Sequence, residues 1–283
     1  MSRNYELLYQ LHRERELFQH APPPEIATNP ETEVSRLAAI EKRLFEVPAP
    51  PPGALSEPDS PRLAEFFRSE TCKLVQRLFL AIGSSVPRSV VFSAVDQDSD
   101  QHWISAQVAD LLSSHTEDSI CLVDANLANP SLHDYFGVDN HVGLIGALLE
   151  PVPAKTFIRP LGRGRLQLMS AGELSNGTDL NTILASGRLR ALMSELVASF
   201  TFVIVNAPPA TSNFITAYLA ALTDGLILVV EPSFTSRQAA CDAKENVKAA
   251  GGRLLGVVFN ERELRFSGRT RQPRGISKPA WNF

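Results

Sequence analysis

The sequence predicts an α/β fold: a doubly wound, mainly parallel sheet flanked by helices, preceded by an N-terminal helical and proline-rich extension. Two observations carry this. Short apolar runs at 89–94, 120–124, 166–170, 202–206, 225–231 and 254–260 alternate with stretches of helical periodicity. Runs rich in Val, Ile and Leu with no polar alternation read as strands buried on both faces, the condition of strands in a parallel sheet covered by helices. The second is size: 283 residues, 44% of them hydrophobic, bury one sizeable core and leave length over for extensions.

The elements follow in chain order. From Tyr5 to Phe18, Leu7, Leu8, Leu11 and Phe18 recur among charged residues at helical spacing, an amphipathic segment expected to dock on its own domain or on a partner. The stretch 21–60 carries Pro22, Pro23, Pro24, Pro48, Pro50, Pro51 and Pro52, an extended linker composition interrupted by a short helical pattern at 34–45. A helix over 61–82 groups Leu74, Val75, Leu78 and Phe79 on one face, with Glu70, Lys73, Gln76 and Arg77 around them. The alternating strands and helices then run to about residue 262. The stretch 263–283 sets Arg265, Arg269, Arg271, Arg274 and Lys278 against Glu263 with Gly and Pro interspersed, a composition that predicts disorder. The expected organisation is thus 1–60 as helix and linker, 61–262 as the globular domain, and 263–283 as a basic tail.

Composition excludes several classes. A net charge of −4 provides no whole-chain field for nucleic acid. Cys72, Cys121 and Cys241 are far apart and form no C-x-x-C pair, so neither a disulfide framework nor a zinc site is expected, and a reducing cytoplasm fits. No apolar run approaches the roughly 18 residues that a span requires, and the N-terminus has no apolar signal core. The expectation is a cytoplasmic protein, soluble or peripheral at the inner face of the membrane.

Ligands of such sheets bind at the carboxyl ends of the strands, so function is read from the residues that follow them. After the second strand stands Val123-Asp124-Ala125-Asn126-Leu127-Ala128-Asn129-Pro130-Ser131-Leu132-His133-Asp134-Tyr135-Phe136-Gly137. This segment resembles the D-x-D-x-R-x-P-x-x-H-x-x-F-G pattern of bacterial tyrosine autokinases of capsule and exopolysaccharide synthesis, relatives of the Min and Par ATPases. Gly143-Leu144, Asn206-Ala207-Pro208-Pro209, Thr223-Asp224-Gly225 and Gly256-Val257-Val258-Phe259-Asn260 extend the resemblance in the same chain order. The resemblance implies a P-loop fold, ATP and magnesium as cofactors, and phosphorylation of tyrosines clustered at the protein's own C-terminus.

The chemical positions depart from that pattern. A P-loop uses glycines to wrap backbone N–H groups around phosphates, a Lys to neutralise them and a hydroxyl to reach magnesium. No glycine stands between Gly83 and Gly137 here, and no lysine between Lys73 and Lys155. The corresponding turn holds Asp96, Asp98, Asp100, Gln101 and His102, with the Lys slot falling on Asp100 or Gln101. A carboxylate about 5 Å from a phosphate oxygen opposes it by roughly 3 kcal/mol at an effective dielectric near 20. The second acid of the D-x-D segment is Asn126, the acid before the Pro-Pro pair is Asn206, the Arg is Ala128, and only Asp124 remains. An amide keeps the size but loses the charge that holds magnesium. Tyrosines occur only at 5, 9, 135 and 218, so the tail offers none to phosphorylate.

The expectation is a degenerate nucleotide site in a non-catalytic, pseudo-kinase adaptor or regulatory partner of exopolysaccharide assembly and export, with ATP and magnesium binding weak or lost. Its partner would be a membrane polysaccharide co-polymerase, an active tyrosine autokinase subunit or a second copy. Two other classes are an ATPase or tyrosine kinase with an atypical nucleotide pose and a divalent-ion-responsive regulator built on Asp96, Asp98 and Asp100. Against calcium stand Gln101 where such a loop has Gly and Gln107 where it has Glu, which favours a solvated acidic turn. His133 is expected to make a structural hydrogen bond, and Asp124 to accept at a strand end or helix cap. Glu70, Lys73 and Arg77 resemble, in altered spacing, the E-x-x-R-x-x-R helix by which these kinases contact a neighbouring subunit. An ordinary surface of helical ion pairs is the alternative. The basic tail suits either an anionic membrane surface or simple solubility.

Overall fold

The computed structural model describes residues 61–80, 86–96, 101–162, 164–173, 187–211, 214–232 and 234–260. The amphipathic segment expected at 5–18, the proline-rich linker, the tail, and Asp98 and Asp100 of the acidic turn lie outside these residues. Helix α1 (Pro61–Phe79) stops just short of its predicted end. It buries Thr71, Val75 and Phe79, one residue per turn, against α2 (Gln101–His115). Phe67 meets Trp103 edge to face at 5.6 Å, and the Thr71 hydroxyl bonds Gln107 Oε1 at 3.3 Å.

Seven strands form one sheet: β1 (Ser89–Ala94), β2 (Ile120–Asp124), β3 (Arg159–Leu161), β4 (Leu166–Met169), β5 (Phe202–Asn206), β6 (Gly225–Val230) and β7 (Leu254–Phe259). Their spatial order is β3-β4-β2-β5-β1-β6-β7, and every pairing is parallel except that of β3 with β4. The parallel strands match the apolar runs to within a residue. The edge strand β3 was not foreseen. Arg159-Pro160-Leu161 is no apolar run, and its extension comes from pairing with β4 and from the bidentate Arg159–Asp139 ion pair rather than from local preference. Pro160 is tolerated because one side of an edge strand needs no N–H donor.

The strands β1, β2, β5 and β6 are buried at every position, and their alternate side chains feed two cores. One face gathers Val90, Phe92, Ile120, Leu122, Phe202 and Ile204 under α1, α2 and the short α3 (Leu132–Phe136). The other gathers Val91, Val123, Val203 and Val205 under α4 (Leu144–Leu149), α5 (Arg188–Ser199), α6 (Phe214–Leu222) and α7 (Arg237–Ala249). At roughly 1.5–3 kcal/mol for each large aliphatic side chain taken out of water, this double burial is the main force holding the sheet.

Two motif glycines serve packing. A Cβ on Gly225 would lie 2.6 Å from the Arg253 carbonyl oxygen, and one on Gly143 only 2.0 Å from the Ser170 carbonyl oxygen. Leu144 and Ile145 donate their N–H groups to Ser170 and Ala171, locking α4 against the end of β4. Beside Gly225, the Asp224 carboxylate accepts from Arg88 N (2.7 Å), Ser89 N (2.9 Å) and Ser89 Oγ (2.9 Å), which pins the start of β1 to that of β6. Among the described residues no helix is long and apolar enough to cross a membrane.

Candidate functional site

Each of the parallel strands carries a buried polar residue in its last two positions or just after them: Ser93, Asp124, Ser170, Asn206, Glu231 and Asn260. Burying polar groups costs free energy unless they are paired, so such a concentration marks the carboxyl edge as the chemically distinctive end of the molecule. It is also the edge where sheets of this topology bind ligands.

At its centre, Asp124 and Asn206 face each other as register partners on β2 and β5. Asp124 continues the Ile120 and Leu122 series and Asn206 the Phe202 and Ile204 series, so both point to the α2–α3 side. Both are fully buried. Asp124 Oδ1 accepts from Asn126 N (3.2 Å) and Asn206 Nδ2 (3.0 Å), and Oδ2 from Ser131 N (3.0 Å) and Leu132 N (3.1 Å). Asp124 is therefore the strand-end acceptor that the sequence suggested: it closes the loop after β2 and holds the first N–H groups of α3. Burial raises its pKa against the pull of these donors. Asn206 Oδ1 is left buried without a partner.

The turn after β1 is tied to the loop after β5. Ser93 Oγ donates to Pro208 O (2.7 Å), Ala210 N to Ala94 O (2.8 Å) and Thr211 Oγ1 to Val95 O (2.7 Å). The Thr216 hydroxyl adds a bond to Pro208 O at 2.6 Å. Ser93, Ser170, Thr211 and Thr216 were not singled out from the sequence. Ser93 and Ser170 stand at strand ends, which was the signal available for them.

The remaining sequence-predicted residues divide. Asp96 is half-buried at the end of the described part of the turn, Gln101 is buried as the first residue of α2, His102 is half-buried one position on, and Asn126 is buried beside Asp124. His133 lies in the first turn of α3, but its Nδ1 is buried with no partner, while Nε2 lies 3.3 Å from Asp134 Oδ1. The ring nitrogen turned inward thus meets no donor or acceptor, and the one turned outward faces the neighbouring carboxylate. Glu70, Lys73 and Arg77 lie on the exposed face of α1, with Lys73 and Glu70 paired at 2.6 Å.

A magnesium-bound nucleotide implied by such a fold needs open carboxylate oxygens and a cationic partner for the phosphates. The described residues do not fit it as they are arranged: both Asp124 oxygens are filled by N–H donors, its neighbours are amides, and no group of three His, Cys, Asp or Glu able to hold a metal occurs among them.

Comparison with known proteins agrees with the fold. The family model described as ParA, NUBPL iron-transfer P-loop NTPase matches residues 102–272, beginning just past the turn that follows β1. Tyrosine-protein kinase YwqD of Bacillus subtilis (strain 168) is 28% identical over 146 residues, 51% of this chain and 60% of that protein, so the match spans less than two thirds of the relative's length. Among solved structures, the chimerical protein CapA2B2 is similar with a TM-score of 0.60 and 22% identity over 82% of this chain and 98% of that one. The VpsO kinase domain is similar with a TM-score of 0.63 and 18% identity over 71% and 98%.

Proposed function

Because the chain belongs to the ParA, NUBPL-type family of P-loop NTPases, we propose that it keeps this fold as a binding surface and works without phosphoryl transfer, as a pseudo-kinase adaptor or regulatory partner in exopolysaccharide or capsule assembly and export. The observation that carries the reading is the state of Asp124: the acid that ends β2 has both carboxylate oxygens taken by the protein's own N–H groups. Phosphoryl transfer is catalysed almost wholly by positioned cations and N–H donors around the phosphates. A turn without glycine or lysine, followed by Asn126 and Asn206 in place of acids, retains little of that equipment. The name of the relative YwqD, a tyrosine-protein kinase, supports the assignment to kinase-like proteins.

The adaptor domain comprises residues 61–262, with 1–60 and 263–283 as extensions. Its partner is a membrane polysaccharide co-polymerase or an active autokinase subunit, met at the inner face of the membrane, and the exposed Glu70, Lys73 and Arg77 face of α1 serves as the contact or as a homo-oligomer interface. Nucleic acid has no part in this reading.

Thermal melting of the full chain with millimolar ATP or ADP and magnesium tests it. A ligand at a hundred times its Kd adds about 2.7 kcal/mol to stability, which a melt resolves readily. The expected outcome is an unchanged melting temperature. A magnesium-dependent rise overturns the reading and favours a kinase or ATPase with an atypical nucleotide pose.

A further inference from the structure

Asp124 poses a problem of charge. It is fully buried, and among the described residues no Lys, Arg or His pairs with it. A buried carboxylate is ordinarily matched by a cation. Three of its four N–H donors are backbone groups of the loop after β2 and of the start of α3, and these are fixed by the loop's path. The fourth is a side chain from another strand, the Asn206 amide.

That amide is expensive to keep. Its Oδ1 is stranded without a donor in the protein interior, an arrangement that apolar packing alone would not select. What the residue contributes is the N–H aimed at Asp124 Oδ1 from the facing position of β5. We infer that the Asn206 amide stands in for a divalent cation, supplying from within the chain the positive end that lets Asp124 stay buried without metal. The inference rests on the reading of the carboxyl edge as a site without magnesium, and it identifies what took the ion's place.

The geometry makes the exchange reversible on paper. An Asp at 206 would set two buried carboxyl groups against each other at about the 3.0 Å now bridged by the amide. Like charges so close do not both ionise unaided, and a cation or a shared proton must come between them. Asn206→Asp should therefore turn a metal-indifferent fold into a metal-dependent one.

The experiment melts the full chain at pH 7 and at pH 9, because a proton held between two buried carboxyl groups competes with the metal and is lost only as pH rises, in EDTA and then in magnesium or manganese chloride, with no nucleotide present. Asn206→Asp is expected to melt lower in EDTA by on the order of 5 °C or more and to recover with either metal. Where it fails to fold in EDTA, metal-driven folding followed by circular dichroism gives the same reading. Asn206→Ala controls for loss of the hydrogen bond: it should melt lower and ignore the metals, since one carboxylate makes no bridge. Wild type should ignore them too. An Asn206→Asp chain indifferent to both cations, folded or not, overturns the inference, as does a wild-type melt that rises with metal alone. Failure of the adaptor reading shows instead as a nucleotide response of the wild type, a measurement this one never makes.

Discussion

The two ends of the sheet handle their polar groups differently. At the amino end, Asp224 places one carboxylate oxygen among three donors of Arg88 and Ser89, and Gly225 lets the backbone of Arg253 approach closely. At the carboxyl end, polar residues are buried at every parallel strand, and unpartnered atoms remain at Ser170 Oγ, Asn206 Oδ1 and His133 Nδ1. These are all the buried side-chain polar atoms without a partner among the described residues. The amino end is organised for packing, where each group is needed to hold its neighbour. The carboxyl end carries more polarity than its packing uses, as expected where a fold's ligand chemistry sits and where the residues answer to function rather than to stability.

That contrast can be broken at the amino end and sharpened at the carboxyl end. The largest effect is expected from Gly225→Ala, whose new Cβ would meet a backbone oxygen that cannot move aside without separating β6 from β7. Urea unfolding should show a loss of about 3 kcal/mol or more. Asp224→Ala removes the acceptor for three donors, one of them exposed at Arg88, and should cost about 2 kcal/mol by the same measurement. The smallest effect belongs to Ser170→Ala. Since its hydroxyl is buried and unpaired, losing it should leave the free energy of urea unfolding unchanged or raise it by up to about 1 kcal/mol. A Ser170→Ala chain destabilised as much as Asp224→Ala would erase the distinction between the two ends.

Much of this was legible in the residues. The parallel strands were visible because burial on both faces leaves uninterrupted Val, Ile and Leu, and α1 because its apolar residues recur at helical spacing. The acid of the segment after β2 was legible as a strand-end acceptor because a lone carboxylate suits N–H donors better than a metal. Strand β3 was not, since Arg159-Pro160-Leu161 becomes a strand only through β4 and Asp139. The staple of Ser93 and Thr211 onto the neighbouring loops was equally hidden, because a single hydroxyl in sequence does not say which distant carbonyl it will reach.

The sequence by itself determined the class of fold, the order of its parallel strands along the chain and the absence of glycine and lysine from the stretch that follows the first of them. Those follow from local composition and spacing, which no partner is needed to read. The tertiary structure alone decided that Asp124 and Asn206 become register partners, that four N–H groups fill the carboxylate, and that Asn206 Oδ1 is left over. These residues stand far apart in the chain. Their meeting is set by strand order, and what each atom pairs with depends on a geometry that exists only once the sheet has closed.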